Sequence, residues 1–354
     1  MKCIYCNRDS PYKDRTGGRC GTCRKPFAFE PKRGDPFTDV AFNNAIEAVS
    51  SAGTVRFLPA HVFYELARRA RDRGAARGFC WALGGIAAVA AAFATPYLLA
   101  ATAALGLLGV AIPPNPTIRL EQNVFHRLWD RWVEVHGVPK GLIVRKSQDG
   151  PYRGTHSDIP NYSFDRAVIC DRADTVDVLL ANNFHFENNC AVLSVDGYPP
   201  HAFPIVREML RKNPRLTVYV LHDADPRGCT LAHRMANDPT WFKGQARVVE
   251  VGIRPAQIQK LKGVWAKASS PVDHPQLLTT LEQAWLGRYQ LELAAIRPEQ
   301  VIKRLFAAIV NDEKLVPADQ YIADSGGDSS TYYIDETSMA SDASAADGAG
   351  DAFG

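Results

Sequence analysis

"LTVYVLHDADPRGCTLAHRM" (Leu216–Met235) decides how the second half of this chain folds. Six strand-forming residues run into two aspartates one residue apart, then into Pro, Arg and Gly, and then into a helical pattern. Along a strand, residues i and i+2 share a face, so Asp223 and Asp225 are expected to project together beyond "LTVYVL". The carboxyl ends of the strands are where open parallel sheets bind their ligands.

The surrounding sequence repeats the pattern. From Phe164 onward, short apolar runs alternate with helical ones: "RAVIC", "DTVDVLLANN", "CAVLSV", "HAFPIVREMLRKN", "LTVYVL", "CTLAHRMAN" and "ARVVEVGI". This predicts an α/β fold, a parallel sheet flanked by helices on both faces. Asp171 follows "RAVIC" as Asp223 follows "LTVYVL". Three converging carboxylates repel one another unless a cation sits among them, and Mg²⁺ suits such oxygen donors. The competing reading is three separately solvated aspartates in strand–helix turns, where Asp is a common helix cap.

Charge is distributed unevenly along the 354 residues. The total is 41 Lys and Arg against 38 Asp and Glu, a net of +3. All eight acids beyond Lys314 stand without a basic residue, which leaves 41 basic and 30 acidic residues, a net of +11, on 1–314. A basic body suits nucleic acid or anionic lipid. The Ser/Gly/Ala/Asp-rich stretch 324–354 has little to bury and is expected to be a disordered acidic tail.

Cys3, Cys6, Cys20 and Cys23 form C-x2-C-x13-C-x2-C, and no apolar secretory stretch follows "MKCIYC". In a reducing compartment, paired CxxC units are metal ligands, so 1–30 is expected to be a zinc ribbon with one tetrahedral Zn²⁺. Cys80, Cys170, Cys190 and Cys229 stand in apolar stretches and read as packed thiols.

Between Arg77 and Arg119 no residue is charged. The 34 residues Phe79–Ile112 would make one helix about 51 Å long, too long for a ~30 Å hydrocarbon core. Split at Thr95-Pro96, they give two helices of roughly 25 Å each. Gly84, Ala88 and Ala92 carry small-residue spacing for close helix approach. Arg68, Arg69, Arg71, Arg73 and Arg77 precede the run, and Arg119, Arg127 and Arg131 follow it. This predicts a transmembrane hairpin (79–112) with both soluble parts cytoplasmic. The alternative is a buried Ala-rich hairpin.

Upstream, 35–77 reads as two helices, with Pro59 in the first turn of the second. Downstream, 117–160 begins with an amphipathic helix ending at Gly137, followed by a short strand at "GLIVRK" and a loop. Residues 275–310 read as helical and close the domain 164–315.

The stretch 165–235 resembles a Toprim domain, specifically that of the type IIB DNA topoisomerase (topoisomerase VI) A subunit family. "AVICDRADTVDVLL", "AVLSVDGYPPHAFPIVREML" with Gly197-Tyr198-Pro199, and "VYVLHDADPRG" carry the resemblance in order and spacing, over roughly 140 residues with "YQLELAAIRPEQVI". It implies a Mg²⁺ site at Asp171, Asp223 and Asp225, with Asp171 where the family has the longer Glu. "FLPAHVFYELARR" is similar to the family's winged-helix nucleophile segment, which implies Tyr64 as the attacking tyrosine. The family's arginine four residues earlier falls on Ala60. Tyr64 also reads as an ordinary core residue of an amphipathic helix.

Two functions follow as expectations. One is an enzyme: Tyr64 cleaves DNA by transesterification with Mg²⁺ on the acids, which implies a homodimer and an ATPase partner. The other is a membrane-anchored, non-cleaving Toprim protein that binds nucleic acid or a nucleotide and recruits partners through its zinc ribbon. A soluble zinc-ribbon adaptor is a third class.

Overall fold

The computed structural model describes residues 1–70, 117–144, 164, 166–200, 202–213, 216–242, 246–261 and 263–310. The expected hairpin Phe79–Ile112, Cys80 and the tail 324–354 lie outside these residues. Among the described residues, no helix is long and apolar enough to cross a membrane.

The N-terminal knuckles lead into α1 (Asp39–Ser50) and α2 (Pro59–Arg69). Thr38 caps α1 by accepting from the Ala41 N–H, and Pro59 opens α2, where a missing N–H costs nothing. The amphipathic helix α3 (Gln122–His136) ends at Gly137, whose φ of +84° favours glycine. "GLIVRK" contributes a single parallel bridge, Phe57 to Leu142, in place of the expected strand among the residues described there.

The strand–helix alternation then follows. In order come β1 (Arg166–Cys170), α4 (Ala173–Ala181), α5 (Phe184–Glu187) and β2 (Cys190–Ser194). After them come α6 (Phe203–Lys212), β3 (Thr217–Leu221), α7 (Gly228–Asn237) and β4 (Arg247–Glu250). The sheet is parallel, in the order β2-β1-β3-β4. Alternate strand residues serve two cores. Ala167, Ile169, Leu193, Val218, Val220 and Val248 pack with Leu210, Leu231 and Met235. Val168, Val192, Tyr219, Leu221 and Val249 share a core with Phe42, Tyr64 and Trp132 of the N-terminal helices. Period-2 burial on both faces is what a sheet covered on both sides requires.

Residues 275–310 are not one helical run. They form α8 (Thr280–Leu286), a short strand (Tyr289–Gln290), a 3-10 turn (Leu293–Ala295) and α9 (Pro298–Val310). The break has a cause 67 residues upstream in sequence. Leu291 and Ala224 exchange both backbone hydrogen bonds, at 2.9 and 3.0 Å, so this segment adds an antiparallel bridge to the Asp-Ala-Asp turn. Pro298 then starts α9.

Candidate functional site

Two clusters of potential ligands stand out. The first is cysteine. Cys3 and Cys23 Sγ lie 3.6 Å apart, Cys6 and Cys20 Sγ 3.7 Å apart, and all four sulfurs fall within 4.8 Å of one another. Zn–S bonds of ~2.3 Å put tetrahedral sulfurs about 3.8 Å apart, so the four positions fit zinc. Backbone N–H groups of Cys23 and Thr22 hold the Cys20 thiol down to about 6, while burial pushes Cys3 up to about 11. The knuckle is fastened to the body. Tyr5 Oη lies 3.0 Å from His136 Nδ1, and His136 Nε2 lies 2.6 Å from Asp39 Oδ2. Asp39 in turn accepts from the N–H groups of Ala28 and Phe29.

The second cluster is at the carboxyl end of the sheet. β1 and β3 are adjacent, with Cys170 opposite Leu221 at their ends, so Asp171 stands one residue and Asp223 two residues beyond the sheet. Asp171 Oδ2 accepts from the Asp223 N–H at 2.6 Å. Asp223 Oδ1 accepts from the Leu293 N–H at 2.6 Å, and Arg172 Nε meets Asp223 Oδ2 at 2.6 Å. Arg172 Nη1 lies 3.1 Å from Glu292 Oε1. Asp225 does not join them. Its Oδ1 accepts from the Gly228 N–H at 2.6 Å and caps α7.

Among the described residues, only the cysteines close into a group of three or more ligand atoms within metal-cage distance. The expected three-aspartate cage is therefore not gathered, because Asp225 turns to the helix and Asp223 is taken by Leu293 and Arg172. Asp171 and Asp223 nevertheless suit a hard cation. Their donors are all oxygen, and Asp171 Oδ1 is sealed from solvent with no hydrogen-bond partner. Burial pushes Asp171 up to about 7, with Asp225 adding to the rise and the Asp223 N–H opposing it. Burial and then Asp171 push Asp223 well above the usual carboxylate range. Arg172 opposes the rise at both groups, yet burial outweighs it.

Behind the turn, His222 is fully buried, with Nδ1 2.8 Å from the Asp223 carbonyl oxygen and Nε2 2.7 Å from Glu250 Oε1. Arg254 joins Glu250 through Nε and Nη2 at 2.6 and 2.7 Å and reaches Glu282 at 3.1 Å.

Tyr64 comes from α2 into this neighbourhood, close enough to feel the charges of Glu292 and Asp223. It is 4% exposed, its ring packed edge-on against Phe63. Burial and the Glu292 charge push the phenol well above its usual range. Ala60 lines a shallow cleft together with His61, Asp174, Arg172, Asp223 and Glu292. Arg172, Glu292 and the Leu293 N–H escape sequence reasoning, since their relevance depends on the Ala224–Leu291 bridge. The remaining thiols in the described residues, Cys170, Cys190 and Cys229, are buried, as packed thiols should be.

Compared with family models, curated proteins and solved structures, the chain matches none.

Proposed function

We propose that the chain is a membrane-anchored Toprim-type protein that binds the phosphates of DNA at the carboxyl end of its sheet, with the help of Mg²⁺, and does not cleave them. It rests on one observation: Asp171 and the buried Asp223 meet just beyond the ends of adjacent parallel strands, and one sealed oxygen, Asp171 Oδ1, is left unpaired. Bound there, Mg²⁺ would supply a bridge between carboxylate and phosphate oxygens. Asp171 and Asp223 would hold it. Asp225 fixes the turn from which Asp223 projects. The basic body of 1–314 draws in the polyanion, and residues 79–112 hold the protein at the membrane. The zinc ribbon serves as a docking module.

Mg²⁺ titration by calorimetry on the full chain in detergent tests the cation, and DNA retention with and without Mg²⁺ tests the ligand. Asp223→Asn should abolish most of both. Retention that ignores Mg²⁺ and Asp223→Asn alike would sink the reading. Solubility of the full chain without detergent would remove the membrane part.

Tyrosine cleavage is the second reading, favoured by the nearness of Tyr64 to Glu292 and by Arg172, which joins Glu292 to Asp223. Burial of the hydroxyl, the weakened acidity of the phenol and the absence of a guanidinium at Ala60 weigh against it. End-labelled DNA trapped covalently on denatured protein, and lost in Tyr64→Phe, would establish it in place of the first.

A further inference from the structure

The acidic cluster already contains a positive charge of its own. Arg172 stands at the head of α4, one residue after Asp171, and its guanidinium bridges Asp223 and Glu292.

The fit to Asp223 is close but incomplete. Arg172 Nε lies 2.6 Å from Asp223 Oδ2, yet that sealed oxygen has no aligned hydrogen bond. Asp171 Oδ1 is likewise sealed and unpartnered. One guanidinium therefore meets Asp223 and Glu292 directly and acts on Asp171 only through its field, without an ion pair to it.

The carboxylates do not depend on Arg172 for their positions. Asp171 is held by the Asp223 N–H and Asp223 by the Leu293 N–H, both at 2.6 Å. Removing the guanidinium would leave these backbone donors in place. Arg172, by contrast, has a way out. Its side chain is 43% exposed, against 2% for Asp223, and it borders the open cleft.

We infer that Arg172 is a displaceable counter-ion, which holds Asp223 and Glu292 until a divalent cation takes its place and then swings into the cleft. The inference rests on the cation site proposed above and adds its regulation. A divalent ion carries twice the charge and can reach the unpaired Asp171 oxygen, so it competes on favourable terms once Arg172 moves. The released guanidinium keeps its planar fork, the shape that grips a phosphate through two parallel hydrogen bonds. One residue would then guard the empty site and receive the phosphate at the filled one.

The test uses the full chain in detergent, with Mg²⁺ alone as the probe. Arg172→Gln should bind Mg²⁺ about twofold to fivefold more tightly than wild type, the worth of one partly exposed ion pair. In wild type, the Arg172 Nε–Hε resonance should move as Mg²⁺ is added, which keeps the inference testable if Arg172→Gln fails to fold. Equal or weaker Mg²⁺ binding by Arg172→Gln overturns the inference while leaving the cation site standing. So does an unmoved Arg172 resonance at saturating Mg²⁺. Absence of Mg²⁺ binding in wild type and Arg172→Gln alike overturns both the inference and the cation site.

Discussion

Asp171 accepts a hydrogen bond from the backbone N–H of Asp223 at 2.6 Å, so the acid ending one strand is held by the turn ending its neighbour. The contact stabilises the Asp171 anion, yet burial outweighs it and pushes the group from 3.8 up to about 7. A raised carboxyl binds its proton more tightly folded than unfolded. Its contribution is therefore fully present below about pH 4 and is lost as pH rises through about 7. Metal-free protein should lose thermal stability over that window. Asp171→Asn should flatten this part of the pH profile, and so should Mg²⁺. An unchanged slope in Asp171→Asn would refute the assignment.

Glu250 has the opposite sign. Although burial opposes ionisation, Arg254 and His222 hold its carboxyl down to about 2 from 4.5. Its stabilisation is present above about pH 4.5 and is lost as pH falls through about 2. Glu250→Gln should remove that acid limb. At neutral pH it should cost about 3–5 kcal/mol in urea unfolding, because it leaves Arg254 buried with only part of its counter-charge. A loss below ~1 kcal/mol, typical of an exposed pair, would mean that the network is solvated.

Much of the architecture is legible in the sequence because it is written in local periodicity. Unbroken apolar runs in "AVIC" and "VYVL" specify strands covered on both faces, and strand-end logic places Asp171 beside Asp223. Cysteine spacing specifies the four-sulfur cluster. What is illegible is non-local. The helical look of "YQLELAAIRPEQVI" conceals a segment that pairs with Ala224, and only that pairing brings Glu292 and Leu293 to the acids. Nor does the spacing of Asp223 and Asp225 reveal that one faces the site and the other caps α7. Their shared strand face ends with β3 at Leu221.

The cysteine cluster should carry one zinc per chain, and Cys20→Ser should lose it. Since Tyr5 reaches His136 at 3.0 Å and the His136 ring lies 4.3 Å from Trp132, stripping the metal should also change Trp132 fluorescence. The difference should vanish in Trp132→Phe. One face of the parallel sheet packs on a core drawn wholly from residues 164–248, so its far-ultraviolet signal should survive chelation. Collapse of the whole fold on chelation would show that the ribbon supports more than itself.

Gly228 tests whether the turn carrying Asp223 has any slack. A Cβ there would lie 2.4 Å from the Asp223 carbonyl oxygen and 3.2 Å from both Asp225 Oδ1 and His222 Nδ1. Relief by a flexible side chain is not available, since the nearest clash is with backbone. That carbonyl is itself held by His222 Nδ1, whose ring is wedged against Gly252. Gly228→Ala must therefore pull α7 away from the Asp223 turn and stretch the Gly228 N–H to Asp225 contact. Loss of the cap and the added strain together should cost about 2–4 kcal/mol in urea unfolding. Mg²⁺ affinity should fall with it, because Asp223 is aimed from that turn. Stability close to wild type in Gly228→Ala would show that the turn can relax, and that the acids are held less rigidly than their backbone hydrogen bonds imply.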